Sequence, residues 1–365
     1  MNTRLRKLSE WMKENDIQVC FVSSSENVFY LSGFLSDPHE RLLGLAVFQD
    51  EEPFLVCPAM EKQDAKNAGW SNEIIAYTDI ENPWELIHKA INNRVKKVEK
   101  VAIEKEHMNV ERYEAISHLF SGATFVPAEE KLRKLRLIKD QKELDTIREA
   151  CALADFAIET GCAEIKEGKT ELDVLAAIEY AMKKKGINEM SFSTMVLTGA
   201  NAASPHGNPG MTKIKKGDFI LFDLGVVVDG YCSDITRTVA YGDINDKQRE
   251  IYETVLKAQL AAIEASKPGI ACSEVDLTAR KIIAEAGYGE YFPHRLGHGL
   301  GIGVHEYPSI METNPLLLEE GMVYTIEPGI YVPGVAGVRI EDDLAVTKDG
   351  VEVLTKFPKE LQFIK

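Results

Sequence analysis

The stretch FILFDLGVVVDGYCSDIT, residues 219–236, decides how the second half of this chain folds. Two apolar runs flank Asp229-Gly230, a strong short signal for a two-residue hairpin turn. With Asp229 and Gly230 as the loop, Val228 pairs with Tyr231 and Asp223 falls opposite Thr236. Side chains alternate faces along a strand, so Asp234 shares the face of Thr236 and lies diagonally from Asp223. Diagonal neighbours are about 7–8 Å apart at Cα, close enough for both carboxylates to reach one ion. Two acids beside an apolar run are costly if unpaired. Alone, they fit a solvent-facing edge as well as they fit a metal site.

Further along, Glu327 follows Val323-Tyr324-Thr325-Ile326, and Glu341 follows Val338-Arg339-Ile340. A single glutamate there would be read as a paired structural residue, with Arg339 the obvious partner. Four acids on two strand pairs are harder to dismiss. Between them lies PHRLGHGLGIGVHE, residues 293–306, holding His294, His298 and His305. Its alternating glycines suit a backbone that must approach something closely. A phosphate-cradling loop would need GxGxxG between a strand and a helix, and no helix signal follows here. His206, in Ser204-Pro205-His206-Gly207, reads by itself as a surface-loop histidine. Four carboxylates and one imidazole carry about −4, matched by two divalent cations, and suit Mn, Co, Fe or Zn in five- or six-coordinate geometry. Two such metals can hold a hydroxide between them and polarise a carbonyl, which makes the site hydrolytic.

The strands around these acids alternate with helices. A helix is expected from Asp140, with Glu143 completing a capping box and Leu144, Ile147, Cys151, Ala154, Ile158 and Ile165 at helical spacing. Others are expected over 171–185, 247–266 and 274–286. Strands are expected over 219–222, 226–228, 323–332, 337–346 and near Val351. Hairpin, two helices, hairpin is an α+β order. Upstream, Val19–Val22, 43–48, 53–57 and 101–103 read as strands. Helices over about 5–12, 83–95 and 108–121 make this part an α/β unit. The charge run Glu129 to Lys142 marks the boundary, giving units 1–128 and 129–365.

The net charge of −16 argues against a nucleic-acid partner and an anionic membrane surface. Six cysteines without a CxxC pair read as free, mostly buried thiols. With no apolar leader and no run of about 18 apolar residues, the expectation is a cytoplasmic protein.

The set Asp223, Asp234, His298, Glu327, Glu341 resembles the metal ligands of the pita-bread metallopeptidases (family M24), which include Xaa-Pro dipeptidases, aminopeptidase P and methionine aminopeptidase. The separations of 11, 29 and 14 positions fit. So do the strings Phe222-Asp223-Leu224-Gly225, Ser233-Asp234-Ile235-Thr236-Arg237, Gly297-His298-Gly299, Ile326-Glu327-Pro328-Gly329 and Arg339-Ile340-Glu341-Asp342. The resemblance is strong over roughly residues 130–365. It implies an α+β pita-bread (creatinase/aminopeptidase) catalytic domain with pseudo-twofold symmetry. The preceding unit, with Asn27-Val28-Phe29-Tyr30-Leu31-Ser32-Gly33-Phe34, is similar to the smaller α/β creatinase-type N-terminal domain.

The resemblance also implies roles. Asp223 binds one metal, His298 and Glu327 the other, and Asp234 and Glu341 bridge. Glu327 accepts the proton of the attacking water. His206 and His305 contact substrate and stabilise the tetrahedral intermediate, while His294 and Arg339 support the substrate. The implied cofactor is a pair of divalent ions, Mn first and Co, Zn or Fe as alternatives. The implied partners are a small peptide with proline in second position and a second copy of the chain. Dipeptide Xaa-Pro hydrolysis is the first expectation. Release of the N-terminal residue from longer peptides, as by aminopeptidase P, is the second. A metal-free creatinase-like enzyme or a binding protein is the third. Tyr331, His294, Leu300 and Ile302 are candidates for the proline pocket.

Overall fold

A computed structural model describes residues 2–205 and 207–365. The chain packs as two compact units, one ending at Arg136 and one running from Leu137 to Lys365.

In the first unit a six-stranded sheet has the order 73–77, 54–58, 44–48, 19–22, 100–103, 124–127. Val19–Val22, buried at every residue, lies at its centre, antiparallel to Gly44–Phe48 and parallel to Lys100–Ile103. A strand buried on both faces reads as an unbroken apolar run, which is why these central strands were visible in the sequence. The edge strands Glu73–Tyr77 and Thr124–Pro127 are half exposed and more polar, and were not. The charge run placed at the boundary begins with a helix, Glu129–Leu137. That helix is tied to the first unit. Glu129 Oε1 accepts from the Glu106 amide at 2.7 Å, and Arg136 Nη1 donates to Asn27 Oδ1 at 2.9 Å. The division therefore falls at 136/137 rather than at 128/129.

The second unit is α+β, with two helix pairs, each backing a sheet. Helices Gln141–Glu164 and Glu171–Lys184 pack on the sheet ordered 363–364, 235–241, 219–224, 195–198, through a core of Ala154, Ile158, Ile178, Ile220, Phe222 and Ile235. Helices Asp246–Ala265 and Cys272–Glu285 share a second core with the sheet ordered 306–310, 297–299, 323–326, 342–346, 351–353, through Ile251, Val255, Ile283, Tyr324, Ile326 and Leu344. Asp140 caps the first helix with Glu143 returning the bond, as the sequence predicts.

Asp229 and Gly230 both have positive φ, 46° and 82°, the signature of a type I′ turn. The register follows from it: Val228 faces Tyr231, and Asp223 faces Thr236. The second hairpin departs from expectation. Each long strand breaks in two, giving Val323–Ile326 with Gly329–Val332, and Ala336–Arg339 with Asp342–Val346. The breaks fall at the two glutamates. Pro328 has no N–H to donate to a ladder. The Glu327 amide bonds instead to Leu296 O at 2.8 Å, and the Glu341 amide to Thr236 O at 3.0 Å. These two amides leave their own hairpin to stitch neighbouring strands together, and that brings the acids side by side. The glycine-rich stretch also forms strands, Gly297–Gly299 and Glu306–Ile310, where glycine's low strand propensity hid them.

Candidate metal centre

Asp223, Asp234, His298, Glu327 and Glu341 all line one cavity of about 420 Å³ in the second unit. Asp223 ends a buried strand, and Asp234 sits at the foot of the next one. His298 lies mid-strand in 297–299, and the glutamates sit at the two strand breaks. Donor atoms of Asp234, His298 and Glu341 all lie within 4.8 Å of one another. Glu327 Oε1 is 3.2 Å from His298 Nε2, and the Asp234 carboxylate is 3.8 Å from the same nitrogen. Asp223 is held by Arg339, whose Nη2 donates to its Oδ2.

The electrostatics are those of a site suited to a cation. Burial pushes the Asp234 carboxyl well above its ordinary range, and the charges of Glu341 and Asp223 push further. Glu341 is raised well above normal by burial and by Glu327 and Asp223, with the Thr236 hydroxyl opposing. Asp223 is raised by burial, and Arg339 restrains it. Glu327 behaves differently. Burial would raise it, but the His298 hydrogen bond and the charges of His298, His294 and Arg339 hold it down at about 2. Asp234 Oδ1 and Glu341 Oε1 are buried and accept no hydrogen bond among the described residues. Buried carboxylate oxygens are normally satisfied, so two orphans aimed into one cavity need an explanation. A divalent cation supplies it, and the oxygen-rich donor set fits one.

Around the acids, one chain of hydrogen bonds fixes the supporting groups. Arg339 Nη1 donates to Tyr331 Oη at 2.8 Å, leaving that hydroxyl to donate to His294 Nε2 at 2.9 Å. His294 then carries its proton on Nδ1 and donates to Arg295 O at 2.8 Å. Burial lowers the His294 pKa, in keeping with a neutral ring. For Arg339, burial opposes the charge, but Tyr331, Asp223, Glu341 and Glu327 keep the guanidinium firmly protonated. His305 is exposed on the cavity wall, its ring centre 4.1 Å from that of His298. His206 lies outside the described residues. Of the proline-pocket candidates, His294 and Tyr331 line the cavity, whereas Leu300 and Ile302 are buried and do not. Phe192, Met195, Pro205, Arg295 and Val304 complete the wall. Sequence reasoning missed them because no periodicity marks 187–205, and because Arg295 and Val304 were overshadowed by adjacent histidines.

A cavity lined by four acids and three histidines, on an α+β scaffold of paired helices and sheets, defines a metal-dependent hydrolase. The comparisons agree. Residues 145–348 match the model of metallopeptidase family M24, and residues 4–138 match the creatinase/prolidase N-terminal domain. The chain belongs to metallopeptidase family M24. It is 60% identical over 358 residues to the putative dipeptidase YkvY of Bacillus subtilis strain 168, covering 98% of this chain and 99% of that protein. It is 47% identical to an Xaa-Pro dipeptidase of Lactobacillus helveticus, covering 99% and 98% of the two chains. The crystal structure of the prolidase from Pyrococcus horikoshii OT3 superposes with a TM-score of 0.91 at 39% identity, covering 99% of this chain and all of the other (100%). No helix among the described residues is long and apolar enough to cross a membrane.

Proposed function

We propose that this chain hydrolyses the peptide bond before proline in Xaa-Pro dipeptides, using two divalent metal ions, Mn first among them. The observation that carries this reading is the pair of orphaned, buried carboxylate oxygens of Asp234 and Glu341 beside His298 Nε2. Names of relatives support the substrate class, since an Xaa-Pro dipeptidase and a prolidase are similar over nearly the whole chain.

In this proposal Asp223, Asp234, His298, Glu327 and Glu341 would together hold the two ions. Bound there, the pair would acidify a water and polarise the scissile carbonyl. The remaining chemistry belongs to side chains. Glu327, ionised and facing the cavity, accepts the proton of the attacking water and delivers it to the proline nitrogen as the C–N bond breaks. His305 and His206 donate to the oxygen that gains charge at the tetrahedral stage. Arg339 and Tyr331 hold Asp223 and His294 in one orientation, so neither turns when substrate enters. Four apolar groups, Phe192, Met195, Pro205 and Val304, offer contact to the substrate's non-polar parts. Five buried, unpaired thiols suit a cytoplasmic setting, and a homodimer completes the proposal.

The test uses protein stripped of metal and reloaded with Mn²⁺, Co²⁺ or Zn²⁺, offered Ala-Pro and Ala-Pro-Ala. Metal-dependent cleavage with Ala-Pro preferred supports the reading. Preference for the tripeptide would move the chain to aminopeptidase P-like activity, and no bound metal with no activation would end the two-metal proposal.

A further inference from the structure

We propose that the buried ion pair between Lys139 and Glu306 holds His305 in its place beside His298, which makes both charged residues positioning residues for the reaction; this rests on the role given to His305 above. Lys139 belongs to the charge run 129–142, where a solvated side chain is the ordinary expectation. Its side chain is instead 2% exposed and that of Glu306 7%, with Nζ 3.5 Å from Glu306 Oε2. Taking two charges out of water is costly, and apolar groups of similar volume often leave a fold just as stable. A pair present in spite of that cost needs a use other than stability.

What the pair holds is the connection between two strands. Strand 297–299 carries His298, strand 306–310 returns beside it with Glu306 opposite Gly299, and residues 300–305 join them. The near end of the connection is fixed through its backbone. Leu300 N donates to Val323 O at 3.1 Å, and Gly301 O accepts from Cys232 N at 2.7 Å. The far end leans on the Glu306 carboxylate, whose Oε1 accepts from Gly303 N at 2.7 Å while Oε2 faces Lys139. A Cβ on Gly301 would stand 2.9 Å from Glu306 Oε2 and 3.0 Å from Oε1, so this glycine lets the carboxylate fold back against its own loop.

Lys139 is fixed in turn. Its amide donates to Gly321 O at 2.9 Å, and Asp140 after it caps the helix Gln141–Glu164. The ion pair therefore ties the connection to a point outside both strands. Val304 and His305 lie between Gly303 and Glu306, the two residues that the carboxylate fixes, and both line the cavity. His305 is exposed, so burial does little to hold its imidazole. A donor that meets charge growing on a substrate oxygen is effective only when it is already in place.

The experiment measures kcat and KM for Ala-Pro with the Mn²⁺-loaded full chain: wild type, K139M/E306Q, H305A, and the three changes together. K139M/E306Q removes both charges without stranding either one in the interior. It should lower kcat by ~10–100-fold, as a small misplacement of a participating group does, and leave KM and metal content at their wild-type values. On the H305A background the same two changes should cost nothing further, because the group they position is gone. Wild-type kcat in K139M/E306Q, or a loss that repeats in full on H305A, would overturn the assignment. Should K139M/E306Q fail to fold, E306Q carries the test, since glutamine keeps an acceptor for Gly303 and loses the charge. E306Q should be slow alone and neutral on H305A, and wild-type kcat there refutes the anchor. H305A as fast as wild type would instead remove His305 from the reaction, and the anchor with it. Cleavage of Ala-Pro-Ala in place of Ala-Pro would overturn only the dipeptidase reading, and the same comparison on the tripeptide then decides the anchor.

Discussion

The hydroxyl of Thr236 donates to Glu341 Oε2 at 2.6 Å, and no other hydrogen bond reaches that carboxylate among the described residues. Thr236 Oγ1 in turn accepts from Arg339 Nε at 3.1 Å, and Thr236 faces Asp223 in the strand register. One buried hydroxyl thus supports the acid on the second hairpin and the arginine that holds the acid on the first. Thr236→Val keeps the shape and removes both bonds. Partners of this kind orient ligands, and their loss typically costs 10–100-fold in metal affinity. Titration of Mn²⁺ against a competing chelator should therefore show affinity lower by about that factor. Affinity equal to wild type would remove Thr236 from this role.

Asp234 illustrates a conflict between stability and function. Its carboxylate is buried, one oxygen has no partner, and Glu341, Asp223 and Asp343 all repel it. Replacing it with Asn removes an ionisable group that the metal-free fold can bury only by binding a proton or by bearing the repulsion of its neighbours. In chelator, Asp234→Asn should melt higher than wild type, by roughly 2–4 °C per kcal/mol relieved in a unit of this size. With Mn²⁺ present the order should reverse if Asp234 is a metal ligand as proposed, since the variant would bind the ion less tightly, and activity should fall. Calorimetry under both conditions checks this, and a variant that keeps metal-dependent turnover would contradict its role as a ligand.

Proton release follows from the same groups. Asp234 and Glu341 have folded carboxyl pKa values raised above their unfolded ones, first by burial and then by neighbouring acids. A raised folded pKa means that the metal-free fold binds more protons than the unfolded chain between the two values. Stability from these groups is therefore full below the unfolded pKa and is lost as pH rises toward the folded one. A cation needs both groups ionised, so its binding must expel protons and tighten as pH rises. Calorimetric titration of Mn²⁺ at neutral pH, in buffers of differing ionisation enthalpy, should show net proton release. Uptake, or independence of buffer, would rule out protonated acids in the metal-free site.

How much of this could be read beforehand depended on how local the physics was. Asp229-Gly230 dictates a two-residue turn, and a two-residue turn dictates a register, so the facing of Asp223 and Thr236 needed no long-range information. The capping box at Asp140 is equally local. The break at Glu327-Pro328 was half legible, since proline leaves a gap in any ladder. That the Glu341 amide would turn to Thr236 O was not legible, because the partner lies on another sheet. Nor was the Arg339–Tyr331–His294 chain, in which side chains link the paired strands 329–332 and 336–339 to His294, distant in sequence. The walls at Phe192 and Met195 come from a segment whose alternation is too weak to announce a strand, although Met195–Thr198 is one.

Gly297 and Gly299 yield the last prediction. Their spacing suggested close approach, and the approach is to neighbouring backbone. A Cβ on Gly297 would lie 1.9 Å from Thr325 O, and one on Gly299 would lie 2.3 Å from Tyr307 O. Neither contact can be relieved by swinging a side chain, so a strand must move. His298 sits between the two, with its amide bonded to Thr325 Oγ1 at 3.2 Å and its Nδ1 next to Gly299 O at 3.2 Å. Any shift of the strand carries the imidazole away from Asp234 and Glu341, whose donor atoms share its 4.8 Å cluster. Gly299→Ala should therefore destabilise the fold by about 1–3 kcal/mol, the usual cost of overpacking, and should weaken metal binding beyond what that loss alone would bring. Denaturant melts paired with Mn²⁺ titration separate the two effects. A variant that is destabilised yet binds metal as tightly as wild type would show that His298 is positioned by something other than these glycines.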